Sequence, residues 1–519
     1  MAVMTKDADI IIVGSGPAGV SAAWPLVRAG LGVLMIDASP GRCDPESADA
    51  DDWQARFGRD FSGLDLTENI SPKFATLLAK KMLDGFAPRN GLECQNFFAA
   101  GSLAQGGLSK IWGALVEPFD ADELSGFPFE AEGLAASYQA VSDRIGTLSA
   151  DCPEKLASPA ARRLFERSLQ EPASDGFTLK PATNAVTDKA MDGREPCSRC
   201  GACLFGCPRH SIYDSAYELP ALRRFPNFHY LGDHFVRAIA SDGPDHVLDI
   251  ETKGARRSIR APALVMAAGT LATTPLILRR LNWIDRPVRL LTNPVAATAF
   301  VIPNLIGSER PRDSFSLGQL FYRLRTPSTS AAGVVYGADA LPLDLFAARL
   351  PLSRPAALQL AHALAPALLI ANCYLVGHFS QNVMRVHAQE AEHKMTIEGM
   401  SSSETQRTLR GAVSALKKQM RKLGALSVPG TTSLLPPGGD AHYAGTLPMG
   451  GAGPLATSNI GELKDVPNIF IVDGSVLPHL PATHPTLTIM ANADRIGAEI
   501  ARRIAADKSA APRALRLTA

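Results

Sequence analysis

The chain has 519 residues, enough at ~150 per domain for two to four domains, which excludes a small stapled fold. Hydrophobic residues make up 46%, charged residues 20% and aromatics 6%, the balance of an ordinary globular protein and not of a disordered or collagen-like one. Lys plus Arg (52) against Asp plus Glu (51) leaves a net charge of +1, so no overall field draws the chain to nucleic acid or acidic lipid, and recognition is expected to be local and pocket-based.

The N-terminus lacks a charged region followed by an apolar stretch and a small-residue cleavage site, and it has no twin arginine, so a cytoplasmic start is expected. Residues 8–38 read as a βαβ unit: an apolar run at 9–13, a glycine turn, an alanine-rich helix, and a second apolar run at 33–36 ending on Asp37. In that turn Gly14 permits the tight bend, Gly16 lets backbone approach a pyrophosphate, and Gly19 lets helix and strand pack closely. Asp37 stands 18 residues beyond Gly19, where a carboxylate can accept both hydroxyls of an adenosine ribose. Together these point to a dinucleotide site. Pro25 is expected to kink the helix.

Residues 41–93 suggest loops and short helices, 130–150 a helix, and 151–194 a polar, irregular stretch leading into a cysteine cluster. Of eight cysteines, Cys197, Cys200, Cys203 and Cys207 crowd into eleven positions, while Cys43, Cys94, Cys152 and Cys373 are scattered. That is metal spacing in a reducing compartment and not a disulfide framework. The pattern C-x2-C-x2-C-x3-C-P matches the bacterial ferredoxin run, which binds an iron-sulfur cluster. Zinc is the main rival, although structural zinc usually pairs two separated C-x2-C knuckles; packing without metal is the third reading. Arg199, within the run, and Arg209, just after it, flank cysteines and either balance cluster charge or are solvated. His229, His234 and His246 carry no assigned role.

A strand at 263–268 and a helix to residue 280 return the chain to an α/β layer, and 290–425 is mixed. Residues 356–376 are the strongest candidate for a membrane span, but His362, Pro366, Asn372 and Cys373 interrupt them without a close flanking charge cluster, so a buried helix followed by a strand is expected. The alternative for 356–370 is an apolar mouth for a lipid-like substrate. Patches of alternation over 368–386 predict strands of a separate antiparallel sheet. A helix at 403–423, a strand at 468–473 and a helix after Pro485 complete the chain, with no internal repeat. The α/β pieces lie at both ends, so the nucleotide domain is expected to be discontinuous.

Three motifs stand in the last third: Asp440-Ala-His442-Tyr-Ala-Gly445-Thr446-Leu-Pro-Met449-Gly450, Asp473-Gly-Ser475-Val-Leu-Pro478, and Ala482-Thr-His484-Pro-Thr-Leu-Thr-Ile-Met490-Ala. With GSGPAG, the loop Gly101-Ser-Leu-Ala-Gln-Gly-Gly-Leu-Ser-Lys-Ile-Trp112-Gly and LVMAAGTLATTP, they form an ordered series that resembles the glucose-methanol-choline (GMC) family of flavin oxidoreductases. A lone histidine beside Gly-Thr is more often structural; the paired motifs reverse that expectation.

The resemblance implies an α/β fold, α+β overall: a Rossmann-like FAD domain and a substrate domain with an antiparallel sheet. The FAD domain would take 8–290, with a cysteine-rich insertion near 195–215, and 431–508; the substrate domain would take most of 291–430. It further implies FAD with its diphosphate on Gly14, Gly16 and Gly19, its ribose on Asp37, and its ring lined by the loop holding Ser102, Gly107 and Trp112. Adenine would meet the backbone at Val236, and Asp473 the centre of the cofactor. The helix following Pro485 and Thr486 would aim its N–H groups at the ring. Residues 101–113 contain neither His nor Cys, so the flavin is expected to be non-covalent.

In this reading His442 is the base and His484 its orienting partner; His479 lies close by, but His484-Pro-Thr fits the motif directly. The cysteines also look like those of iron-sulfur sugar dehydrogenase subunits in the family, in which Cys197, Cys203 and Cys207 would hold a three-iron cluster and Cys200 leaves a four-iron one open. The expected activity is FAD-dependent dehydrogenation of a primary or secondary alcohol, a sugar or glycoside hydroxyl first, with electrons leaving through the cluster to an external acceptor such as a cytochrome or a small partner subunit. The rivals are an alcohol oxidase using oxygen, with a structural cysteine site, and a non-catalytic flavin and iron-sulfur electron carrier. No nucleic-acid partner and no transmembrane segment are expected.

Overall fold

The computed structural model of the protein describes residues 8–39, 72–171, 176–311, 313–338, 350–388 and 394–510, together with Leu343 and Ala347. The sequence reading of 41–71 therefore lies outside the described residues.

Strand Ile10–Val13 is the centre of a five-stranded parallel sheet, in the order Ile469–Ile471, Leu264–Met266, Ile10–Val13, Val33–Ile36, Phe228–Leu231. Ile10, Ile11 and Ile12 are fully buried, as a parallel strand covered on both faces requires, which is why its sequence is a continuous apolar run. Helix Pro17–Arg28 follows the glycine turn with Pro17 at its first position, and runs unbroken through Pro25. The closing helix Thr486–Ala510 packs against it. A Cβ built on Gly497 would lie 2.6 Å from the Ala22 carbonyl oxygen and 2.8 Å from the Pro25 ring. Gly497→Ala should therefore force these helices apart and destabilise the protein by about 1–3 kcal/mol, the usual cost of overpacking, read as a lowered Tm.

A three-stranded antiparallel meander, Phe235–Asp242, Asp245–Thr252 and Ala255–Ala261, lies in sequence between two of the parallel strands. The second large sheet is antiparallel and runs Leu426–Ser427, Val295–Val301, Leu368–Leu375, Ser330–Gly337, Leu320–Arg325, Phe177–Pro181, with Ser433–Leu434 also pairing to Val295–Val301. Helices Pro159–Gln170 and Ser403–Lys422 cover one face, where Leu164, Leu409, Leu416 and Met420 pack with Phe300, Tyr322 and Leu369. The other face gathers Val295, Phe321, Val334 and Tyr374 with Leu115 and Ala482, close to the motif that carries His484. A small mixed sheet, Val288–Leu290, Asn382–Val386, Met395–Glu398 and Leu92–Gln95, completes the framework.

Three expectations are corrected. Residues 368–386 are strands, but Leu368–Leu375 and Asn382–Val386 belong to different sheets, because alternation specifies a face and not a partner. The stretch 151–194 is not irregular: it holds helix Pro159–Gln170 and strand Phe177–Pro181. Helix Arg354–Leu364 is not a core helix, since only Ala357 and Ala361 are buried and Leu360 is exposed. Among the described residues no helix is long and apolar enough to cross a membrane.

Candidate active site

The glycine turn is built as close packing demands. Gly14 has φ +105°, and a Cβ there would meet the Ala267 carbonyl oxygen at 2.5 Å; one on Gly19 would meet the Gly14 oxygen at 2.0 Å. Gly16 differs, because a Cβ there meets nothing within 4 Å, and as N-cap it makes no side-chain capping bond. Space and unsatisfied N–H groups at a helix start are the chemistry of a diphosphate cradle. Asp37 is buried, accepting Ser15 N–H at 2.7 Å and Ser39 N–H at 2.8 Å, while the Ser39 hydroxyl beside it is buried without a partner. Burial raises the Asp37 pKa, and its hydrogen bonds oppose the shift. The segment before Val236 is tied to the same corner, with Asp233 N–H on Ser39 O at 2.6 Å and His234 N–H on Asp37 O at 2.9 Å. These residues fit the adenosine diphosphate half of a dinucleotide.

The loop 101–113 is pinned over the glycine turn. Gly106 N–H donates to Ser15 Oγ at 3.1 Å, and a Cβ on Gly107 would stand 3.8 Å from Gly16 Cα. Asp214, just beyond the cysteine run, accepts from Ser109 Oγ at 3.2 Å and pairs with Lys110 Nζ at 2.6 Å, and Trp112 Nε1 donates to Tyr213 O at 2.8 Å. Ser102 Oγ accepts the Ala104 N–H at 3.2 Å. Asp473 is buried with both oxygens engaged: Oδ2 accepts Gly269 N–H at 3.0 Å and Thr273 Oγ1–H, and Oδ1 accepts Ser475 N–H at 3.1 Å and its hydroxyl. Its side chain therefore organises backbone turns. Helix Thr486–Ala510 starts directly after Pro485, with Leu487 and Met490 in a buried cluster against which Trp112 also packs.

His442 and His484 are brought together, ring centroids 4.8 Å apart at 72°. Tyr374 lies against both, 5.6 Å from His442 and 4.7 Å, edge-on, from His484. Burial lowers the His442 pKa to about 4; burial and then the neighbouring His442 hold His484 well below its ordinary value. Both imidazoles are thus neutral near pH 7, as a proton acceptor must be. His442 Nδ1 stands 3.0 Å from Asn293 Oδ1 and 3.8 Å from Asp440 Oδ2, while His484 Nδ1 is buried without a partner. Burial pushes the Asp440 carboxyl up to about 7, against N–H donors from Asn293 and His442. His479 is not part of this pair; its Nε2 meets Glu123 O at 2.7 Å. Asn293, Asp440 and Tyr374 had no role in the sequence reading. Only Asp440, two residues before His442, carried a local signal.

The four clustered cysteines line one pocket of about 10 Å³, room for about one water. Cys197 Sγ accepts Arg199 N–H at 3.4 Å and Cys207 Sγ accepts Ser211 N–H at 3.2 Å. Burial pushes the Cys203 thiol up to about 11, with hydrogen bonds from Ser316 opposing. Among the described residues no group of three His, Cys, Asp or Glu side chains is placed to hold a metal ion.

A parallel sheet with an open glycine turn, joined to a partly buried imidazole pair beside an antiparallel sheet, is the arrangement expected of a dinucleotide-dependent enzyme. Residues 381–493 match the GMC oxidoreductase family model. The chain is 24% identical to paromamine 6'-oxidase of Streptomyces fradiae over 95% of its own length and 91% of the relative's. It is 25% identical to 6'''-hydroxyparomomycin C oxidase of Streptomyces lividus over 97% and 93%. The crystal structure of pyridoxine 4-oxidase from Mesorbium loti shares the fold, with a TM-score of 0.60 at 17% identity over 95% of this chain and 99% of that one. Residues 381–493 thus carry a GMC oxidoreductase domain, and the chain is an enzyme acting on CH–OH groups. A GMC oxidoreductase domain implies FAD.

Proposed function

We propose that this enzyme oxidises a primary or secondary alcohol, a sugar or glycoside hydroxyl, with His442 as the base. The observation that carries this is the neutral, partly buried His442–His484 pair in a chain whose relatives, matched over nearly their whole length, are named as oxidases of paromamine and hydroxyparomomycin. Gly14, Gly16, Gly19, Asp37 and the Val236 backbone would hold the adenosine diphosphate part of FAD. Ser102, Gly107, Trp112, Asp473, Pro485 and Thr486 would frame the rest. When bound, FAD supplies the acceptor for the hydride that leaves the carbinol carbon. His442 takes the hydroxyl proton, the C–H electron pair departs, and the C–O bond becomes a carbonyl, a two-electron oxidation. His484 orients the hydroxyl.

Electron exit through an iron-sulfur cluster on Cys197, Cys200, Cys203 and Cys207 is the finer part of the proposal. Its support is the convergence of four thiols on one pocket, the N–H groups aimed at Cys197 and Cys207, and the buried cluster that Cys197 and Cys203 share with Tyr213 and Trp112. A second reading, an oxidase that reduces oxygen and packs these cysteines as thiols, draws on the small volume of that pocket and on the relatives' names. Anaerobically purified protein is expected to contain iron and acid-labile sulfide, and acid precipitation should release all of its flavin. Absence of iron favours the second reading, and flavin retained in the pellet refutes the non-covalent assignment.

A further inference from the structure

We propose that Asn293 and Asp440 form a positioning pair that fixes His442 in the Nδ1–H tautomer, leaving Nε2 as the basic nitrogen; this rests on the reading of His442 as the base. Asn293 is 1% exposed and its amide orientation is determined by its surroundings. Its Nδ2 donates to two carbonyl oxygens, Leu375 at 2.7 Å and Pro481 at 2.8 Å, which uses both amide protons. The oxygen Oδ1 is then the atom that faces His442 Nδ1 at 3.0 Å, and an amide oxygen only accepts. Nδ1 must therefore carry the proton. The lone pair is left on Nε2, the only other nitrogen of the ring.

Asp440 holds both partners. Its Oδ2 accepts the Asn293 N–H at 2.7 Å and the His442 N–H at 3.3 Å, and lies 3.8 Å from Nδ1. The other oxygen, Oδ1, is buried with no partner, so acceptor capacity is left unused beside the ring. A proton arriving on Nε2 makes an imidazolium, and Asp440, whose carboxyl burial pushes up to about 7, offsets that charge from this distance when it is ionised, above about pH 7. Both residues act through His442 and neither needs to touch the alcohol. The pair is assembled from distant sequence: Asn293 precedes strand Val295–Val301, and Asp440 stands at the entrance to the His442 motif.

The test uses flavin-loaded enzyme with ¹⁵N-labelled histidine, the His442 signals being assigned by their loss in His442→Ala. Wild type is expected to show a protonated Nδ1 and an unprotonated Nε2 at residue 442. Asn293→Leu, which keeps the volume and removes the acceptor, should mix the tautomers and slow flavin reduction at least ~10-fold. Asp440→Asn, which keeps an acceptor oxygen and removes the charge, should preserve the tautomer and lower the reduction rate at saturating substrate, with the substrate's apparent Kd unchanged. A wild-type spectrum with the proton on Nε2 overturns the proposal whether or not either variant folds, as does wild-type reduction by folded Asn293→Leu. Full activity in His442→Ala would instead overturn the base assignment and leave the measured tautomer standing.

Discussion

His442→Ala is expected to retain FAD and lose flavin reduction by ~10² or more at saturating substrate, because the proton of the alcohol then has no acceptor. Retention is expected because the glycine turn and Asp37, proposed to hold the adenosine diphosphate part, lie at the parallel sheet and make no bond to the imidazole. The pH dependence carries a sign. Burial lowers His442 to about 4, so the wild-type base is already neutral above about pH 5 and is lost only as pH falls through its folded value. The deficit of the variant should therefore be nearly constant from pH 5 upward and shrink below it. His484→Asn should be milder, because an amide can still orient a hydroxyl. A flavin-loaded His442→Ala enzyme that reduces at the wild-type rate removes this residue from the chemistry.

Cys203→Ser and Cys207→Ser are expected to leave anaerobic bleaching of the flavin by substrate intact while cutting steady-state turnover with a cytochrome-like acceptor by an order of magnitude or more, if the thiolates carry electrons outward. The distinction is sharp because the cysteine run is tied to the loop 101–113 through the Tyr213–Asp214 segment and the shared apolar cluster, apart from the His442–His484 pair. Cys200 separates two cluster types. A cluster that survives Cys200→Ser uses Cys197, Cys203 and Cys207, and one that is lost or converted uses all four. Unchanged turnover with the acceptor in both variants, together with stoichiometric zinc or no metal, would show that electrons leave the flavin without the cysteines and that these serve as structure.

The parallel-sheet part of the molecule was legible because buried parallel strands must be apolar at every position and because close packing admits only glycine at 14 and 19. The GMC motifs led to His442 and His484, and the fold brings the two rings together from separate segments. Helix Pro159–Gln170 was hidden because its apolar face is narrow: Ala160, Ala161, Leu164 and Phe165 are broken by Arg162 and Arg163. The split of 368–386 between two sheets was hidden for a different reason, since a strand's pattern says nothing of its neighbour. Asn293 and Tyr374 gave no signal at all. Their placement beside His442 follows from the antiparallel sheet's register, in which Val295 pairs with Tyr374.

The most direct measurement is an anaerobic titration of the purified flavoenzyme with sugars, glycosides, aminoglycosides, sterols and aromatic alcohols, following the oxidised flavin band. Full bleaching by at least one sugar or glycoside is expected, with carbonyl product formed in at least equal amount to the flavin reduced, and strong slowing in His442→Ala. A flavin that dithionite bleaches but no sugar or glycoside does would contradict it.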